Sequence, residues 1–115
     1  DEVLAGLMHG GDVPYRRYDC QSGAWLDRVH RAAPVAVIEG SYSHHPVFAA
    51  EYAALGALRI FVYTTEEERI KRLRMREGER FFTFQTRWIP LEKRYTEAYD
   101  IKSGADIALE SQPWA

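Results

Sequence analysis

The chain is poor in cysteine. Cys20 stands alone among 115 residues, so no internal disulfide can staple the fold, and the composition suits a reducing, cytoplasmic setting. Long apolar runs are missing too: none approaches the ~20 residues that a membrane span requires. No sign of charge dominates, since 15 Lys and Arg stand against 17 Asp and Glu for a net charge of -2. The concentrated basic surface of a generic nucleic-acid binder is therefore absent. These absences leave neither membrane nor nucleic acid as an expected partner. Repeats, low-complexity tracts and linkers are also lacking, and the length suits one domain. What is present is 46% hydrophobic and 13% aromatic residues, enough to argue against disorder.

Local patterns divide the chain into elements. Glu2 to His9 suits a short helix with Val3, Leu4, Leu7 and Met8 as its apolar stripe, stopped by Gly10-Gly11. Val13 to Asp19 is expected to be extended, and Cys20 to Gly23 to turn, while Trp25 to Arg31 fits either a short helix or a strand. Val35 to Ile38 predicts a buried strand, delivering Glu39 to its carboxyl end with Gly40 turning behind it. Pro46 to Leu55 predicts a helix, and Leu58 to Tyr63 a second strand. Thr65 to Glu68 has the form of a capping box opening a helix that Gly78 ends. Arg80 to Tyr99 predicts more helix, with Phe81, Phe84, Trp88, Leu91, Tyr95 and Tyr99 spaced as a buried stripe and Pro90 as a kink or break. Ala105 to Leu109 predicts a final short strand. This order predicts a parallel sheet wrapped by helices.

Several residues have types suited to chemistry. Ligands of open α/β sheets bind at the carboxyl ends of the strands, and a carboxylate there, such as Glu39, can hold magnesium; the competing role is a turn-stabilising acid. Arg69, Arg72, Arg76 and Arg80 recur at three or four residues and would form one basic stripe on a helix. Guanidinium forks suit phosphate oxygens, but the same stripe could pair with Glu66, Glu68 and Glu77. Tyr15 and Tyr18 fit either half-buried packing or a ligand pocket. His44-His45 carry no further Cys, His or Asp at ligand spacing, so they do not read as a metal centre, and Gly40-Ser41-Tyr42-Ser43 is no nucleophile elbow.

VIEGSYSHHP, followed by LRIFVYTTEEERIKRLRMREG, RWIPLEKRY and GADIAL in order, resembles the later part of a uridine kinase-like P-loop kinase over most of residues 12 to 110. The resemblance implies a P-loop NTPase-like α/β kinase fold, with strands at 35-39, 58-63 and 105-109 and a lid at about 66-88. It implies transfer of the ATP γ-phosphate to a hydroxyl of a small molecule, a nucleoside or similar metabolite, with Mg2+ as cofactor. Glu39 would lie by the metal and phosphates. Arg72 and Arg76, then Arg80, match the lid arginines, and Tyr18-Asp19 match a pair lining the nucleoside pocket, with His44 beside the acceptor. Where the family places a histidine and an arginine to read base and sugar, this chain has Gly23 and Trp25.

No GxxxxGK[ST] phosphate loop occurs in these residues. The chain is therefore expected to be part of such a kinase, inactive alone, with the phosphate loop and the catalytic acid upstream of Asp1. Two apolar strands without that central strand would expose free edges, from which self-association is expected. The alternative class is a non-catalytic α/β module, derived from a kinase, that binds a ligand or partner without phosphoryl transfer.

Overall fold

The computed structural model describes residues 2–112. It is a mixed α/β chain with two small two-stranded sheets, neither of them closed. The chain divides into two compact units, Asp1–Ser43 with Val47–Ala57, and His44–Pro46 with Leu58–Ala115.

In the first unit, α1 (Glu2–His9) ends as expected at Gly10 and Gly11, both at positive φ. Strands β1 (Val13–Asp19) and β2 (Ala24–His30) then pair as an antiparallel hairpin, from Val13 opposite His30 to Asp19 opposite Ala24. This settles the ambiguous Trp25 region as strand. The base of the hairpin is tied by Asp12, which accepts from the Ala32 N–H at 2.8 Å and from Arg31 Nη1 at 2.6 Å. Pro46–Phe48 forms a single 3-10 turn that leads into α2 (Ala49–Ala54). Helix α1 packs on β1 and on α2, and the buried side chains here are Leu4, Val13 and Tyr52. Gly6 is required by that packing, because a Cβ there would collide with Val13 Cγ1.

Residues 35–39, expected as a buried strand, are irregular and pair with no strand among the described residues. Val35 is 74% exposed and Val37 86%. The physical reason is the lack of a partner: a parallel strand is stabilised by ladder bonds and by cover on both faces, and no described strand lies against this one. Apolar, β-branched composition alone does not hold an extended segment in place.

The second unit contains β3 (Ile60–Tyr63) and β4 (Ile107–Glu110), parallel and in register from Ile60 opposite Ile107 to Tyr63 opposite Glu110. The expected sheet wrapped by helices is thus reduced to this parallel pair. Between its strands run α3 (Glu66–Glu77), a 3-10 turn at Gly78–Arg80, α4 (Phe81–Thr83), a π-helical turn at Phe84–Trp88, α5 (Ile89–Ala98) and α6 (Ile101–Gly104). Thr65 caps α3 by accepting from the Glu68 N–H at 3.3 Å. The Glu68 carboxylate does not complete the box; it turns instead to Arg72 at 2.8 Å. Pro90 does split the helical stretch, standing in the first turn of α5 directly after the π-helical turn. With no N–H to give, it leaves a carbonyl of the preceding turn without its usual donor. The expected aromatic stripe is not buried: Trp88, Leu91 and Tyr99 are exposed and Phe81, Phe84 and Tyr95 half-buried. Ile89 and Ile101 form the buried core of this unit.

Candidate functional site

The sequence-predicted residues fall in both units. In the first, Tyr18 and Asp19 sit at the tip of the β1–β2 hairpin. Tyr18 faces Trp25 across the ladder, ring centroids 5.1 Å apart and tilted by 57°, and the Arg16 guanidinium lies 5.6 Å from the Trp25 ring centre. Trp25, standing where the resembled family has a polar reader, builds an exposed aromatic pair. Asp19 has local work: its carboxylate accepts from Ser22 Oγ at 2.5 Å and from the Gln21 and Ser22 N–H groups at 3.2 and 3.3 Å. Those bonds, led by the Ser22 hydroxyl, hold its pKa below the ordinary value. They shape the turn whose last residue, Gly23, needs positive φ.

Glu39 is exposed on the irregular segment, not at a strand end. Among the described residues, no three His, Cys, Asp or Glu side chains converge in a way that could hold a metal ion. Glu39 would therefore need ligands from ATP, water or further chain to hold Mg2+.

In the second unit, α3 and the turn behind it present the arginines. Arg72 is half-buried and committed, donating to Glu68 Oε1 at 2.8 Å, Ser111 Oγ at 2.9 Å and the Gln112 carbonyl at 2.7 Å. It ties α3 to the residues that follow β4. Arg76 and Arg80 share one acid, Glu77, at 2.6 and 3.2 Å. The Glu77 side chain is only 9% exposed, whereas those of Arg76 and Arg80 are 68% and 79% exposed. Arg69 pairs with Glu92 at 3.5 Å. Arg74 lies off the stripe, over the Phe81 ring at 5.0 Å. The arginines thus differ in exposure: Arg76 and Arg80 are largely exposed around the sheltered Glu77, with Arg76 also over the Phe84 ring at 5.9 Å, whereas Arg72 is half-buried.

His44 lies near a second cluster of this unit. Asp106 Oδ2 accepts from the Arg59 N–H at 2.8 Å and meets Arg59 Nε at 3.5 Å, at the start of both parallel strands. The Arg59 backbone and side-chain bonds hold the Asp106 carboxyl below its usual pKa. Burial lowers the His44 pKa, the Arg59 charge adds to this, and Asp106 opposes both. A neutral imidazole beside an arginine is a competent hydrogen-bond partner for a hydroxyl. His45 is directed elsewhere, against the Tyr99 ring at 4.5 Å and the Tyr95 ring at 6.0 Å.

Sequence reading missed Arg59 and the central place of Glu77. Arg59 could be suspected only from its position before an apolar strand, since its partner is 47 residues away. Glu77 looked like one of several acids flanking an exposed stripe. No family model, curated protein or solved structure matches the chain.

Proposed function

We propose that this chain is the acceptor- and lid-side portion of a uridine kinase-like phosphotransferase, which moves the γ-phosphate of ATP·Mg2+ to a hydroxyl of a small metabolite. The observation that carries the reading is the arrangement behind α3: Arg76 and Arg80, both largely exposed, flank the glycine turn at Gly78 and meet on the sheltered Glu77. Two arginines next to a glycine turn suit neutralisation of charge on a transferring phosphoryl group. Arg72 then acts as a strut holding the lid helix to the residues after β4, a change from its expected role as a phosphate ligand. Glu39 serves the metal, Tyr18 and Trp25 flank the acceptor, and Asp19 shapes the turn that carries them. In this reading the phosphate loop and the base come from outside these residues, and the protein works in the cytoplasm.

The test is transfer from ATP to a panel of nucleosides and polyols by a protein that carries this chain together with a phosphate loop. Arg76→Ala and Arg80→Ala are expected to lower turnover on the order of a hundredfold, as loss of a charge clamp on the transferring group would. Arg74→Ala is expected to leave turnover unchanged. Glu39→Gln is expected to lower turnover by a similar factor at every magnesium concentration. The 115-residue chain alone is expected to release no ADP. Equal effects of Arg74→Ala and Arg76→Ala would mean that the arginines are not a clamp, and absence of any transfer by the protein carrying the phosphate loop would favour the non-catalytic binding module.

A further inference from the structure

We propose that Ser111 and Gln112, the two residues after β4, latch α3 through Arg72, so that the carboxyl end of the parallel strand pair sets how freely that helix moves. In the phosphotransferase reading, on which this role rests, the latch regulates the arginines that α3 carries. The latch itself lies wholly within the second unit.

Helix α3 has no core to hold it. None of its residues is buried; Ile70 and Leu73 are half-buried and Met75 is 80% exposed. Helices in proteins owe most of their stability to an apolar face packed on a neighbour. Elements with few buried apolar contacts are the ones that open locally. Polar ties therefore carry much of the positioning of α3. Arg69 pairs with Glu92 at 3.5 Å and Glu66 with Lys93 at 3.2 Å, and both partners are on α5. Arg72 supplies the tie to the strands.

That tie spans the corner between β3 and α3. Arg72 Nη1 donates to Ser111 Oγ at 2.9 Å and Nη2 to the Gln112 carbonyl at 2.7 Å, while Nε stays on Glu68 of its own helix at 2.8 Å. Ser111 in turn donates its N–H to the Tyr63 carbonyl at 2.6 Å. The bond continues the parallel pairing one step past Tyr63 opposite Glu110. Two residues after Tyr63, Thr65 caps α3. One serine thus joins the end of β3 to the second turn of the helix that follows it.

The tie is of a kind that can open. The two acceptors after β4 are neutral, a hydroxyl and a carbonyl, and hold a guanidinium less firmly than a bidentate carboxylate would. The Glu68 carboxylate belongs to α3 and moves with it. Position adds to this, because the carboxyl ends of parallel strands are where ligands of open α/β sheets bind. Opening the latch there frees the helix that carries Arg76 one turn beyond Arg72 and that runs into the glycine turn holding Arg80.

The experiment is amide hydrogen exchange, read residue by residue by NMR, on the 115-residue chain and its variants. Arg72→Lys keeps the charge but lacks the fork that spans Ser111 and Gln112 at once. Ser111→Ala removes only the hydroxyl. Arg74→Lys is the control, on the same helix but over the Phe81 ring. In Arg72→Lys the α3 amides and the Ser111 amide are expected to exchange together, about fivefold faster or more. Ser111→Ala should speed α3 from the other side, since coupling is reciprocal. The double variant should exchange no faster than Arg72→Lys alone, because both changes break one tie. Arg74→Lys should change nothing, and the amides of the β1–β2 hairpin should stay as they are in every variant. An unchanged Ser111 amide in Arg72→Lys overturns the latch. Additive effects in the double variant overturn it as well, and so does acceleration that extends equally to the hairpin, which is global destabilisation. The readout uses no substrate, so absence of phosphoryl transfer would sink that reading without touching these results.

Discussion

Leu58–Tyr63 and Val35–Ile38 are nearly the same kind of sequence, yet only the first yields a strand. Both are short, apolar and rich in β-branched residues, and each is followed within two residues by polar ones. Strand β3 exists because β4 returns beside it and because Asp106 takes the Arg59 N–H at the start of the pair. It is then stopped by the cap of α3 at Thr65. Residues 35–39 have none of these supports and stay irregular. Strand propensity mostly measures how well a side chain packs on a pleated surface. Without that surface, it does not fix the chain.

This contrast can be broken by taking away the supports of β3. The largest effect is expected from Ile101→Ala, which hollows the core just ahead of β4. It should cost about 3 kcal/mol, as for other buried aliphatic truncations, and free β3 to exchange as fast as 35–39. Urea unfolding with hydrogen exchange measures both. Thr65→Ala comes next, removing the cap that follows β3, at about 1 kcal/mol in the same urea titration.

Acid should loosen β3 selectively. The folded Asp106 pKa is depressed, so its contribution to stability is complete above its ordinary value of 3.8 and is lost as pH falls through the lower, folded value. His44 works in the same direction at higher pH. Its folded pKa is depressed, so its contribution is complete above its ordinary value of 6.5 and is lost as pH falls through the folded value. A melting-temperature profile from pH 8 to pH 2 should therefore decline in two steps. Asp106→Asn should flatten the lower step and His44→Gln the upper. The smallest effect belongs to the unsupported segment: Val37→Ala, at a fully solvated position, should shift monomer stability by less than about 0.5 kcal/mol. A larger shift in dilute solution would mean that 35–39 is already packed within the chain.

Legibility followed the range of the interactions. Helix α1, its glycine stop, the Thr65 cap, the end of α3 at Gly78 and the break at Pro90 were all readable, because each depends on residues within about one turn. The β1–β2 hairpin was half readable. Its turn at Cys20–Gly23 was evident, but β2 was not, since Trp25 and Val29 look amphipathic in either geometry. The aromatic positions of α4 and α5 have helical spacing but lack an opposing surface, so the expected buried stripe became an exposed or half-buried one.

The candidate site shows the same division. Sequence alone fixed which residues carry charge and at what spacing: the arginines of 69, 72, 76 and 80, the acid at 39 and the tyrosine-aspartate pair at 18 and 19. Helical periodicity puts Arg69, Arg72 and Arg76 on one side of α3, whereas Arg80 lies past the helix in the Gly78–Arg80 turn. Only tertiary structure decided their freedom, because Arg72 is held by Ser111 and Gln112, some 40 residues away, while Arg76 and Arg80 close on nearby Glu77. It likewise joined Arg59 to Asp106 and left Val35 and Val37 in water. Local spacing is set by bond geometry and survives any environment, whereas pairing across tens of residues depends on which surfaces the rest of the chain brings together.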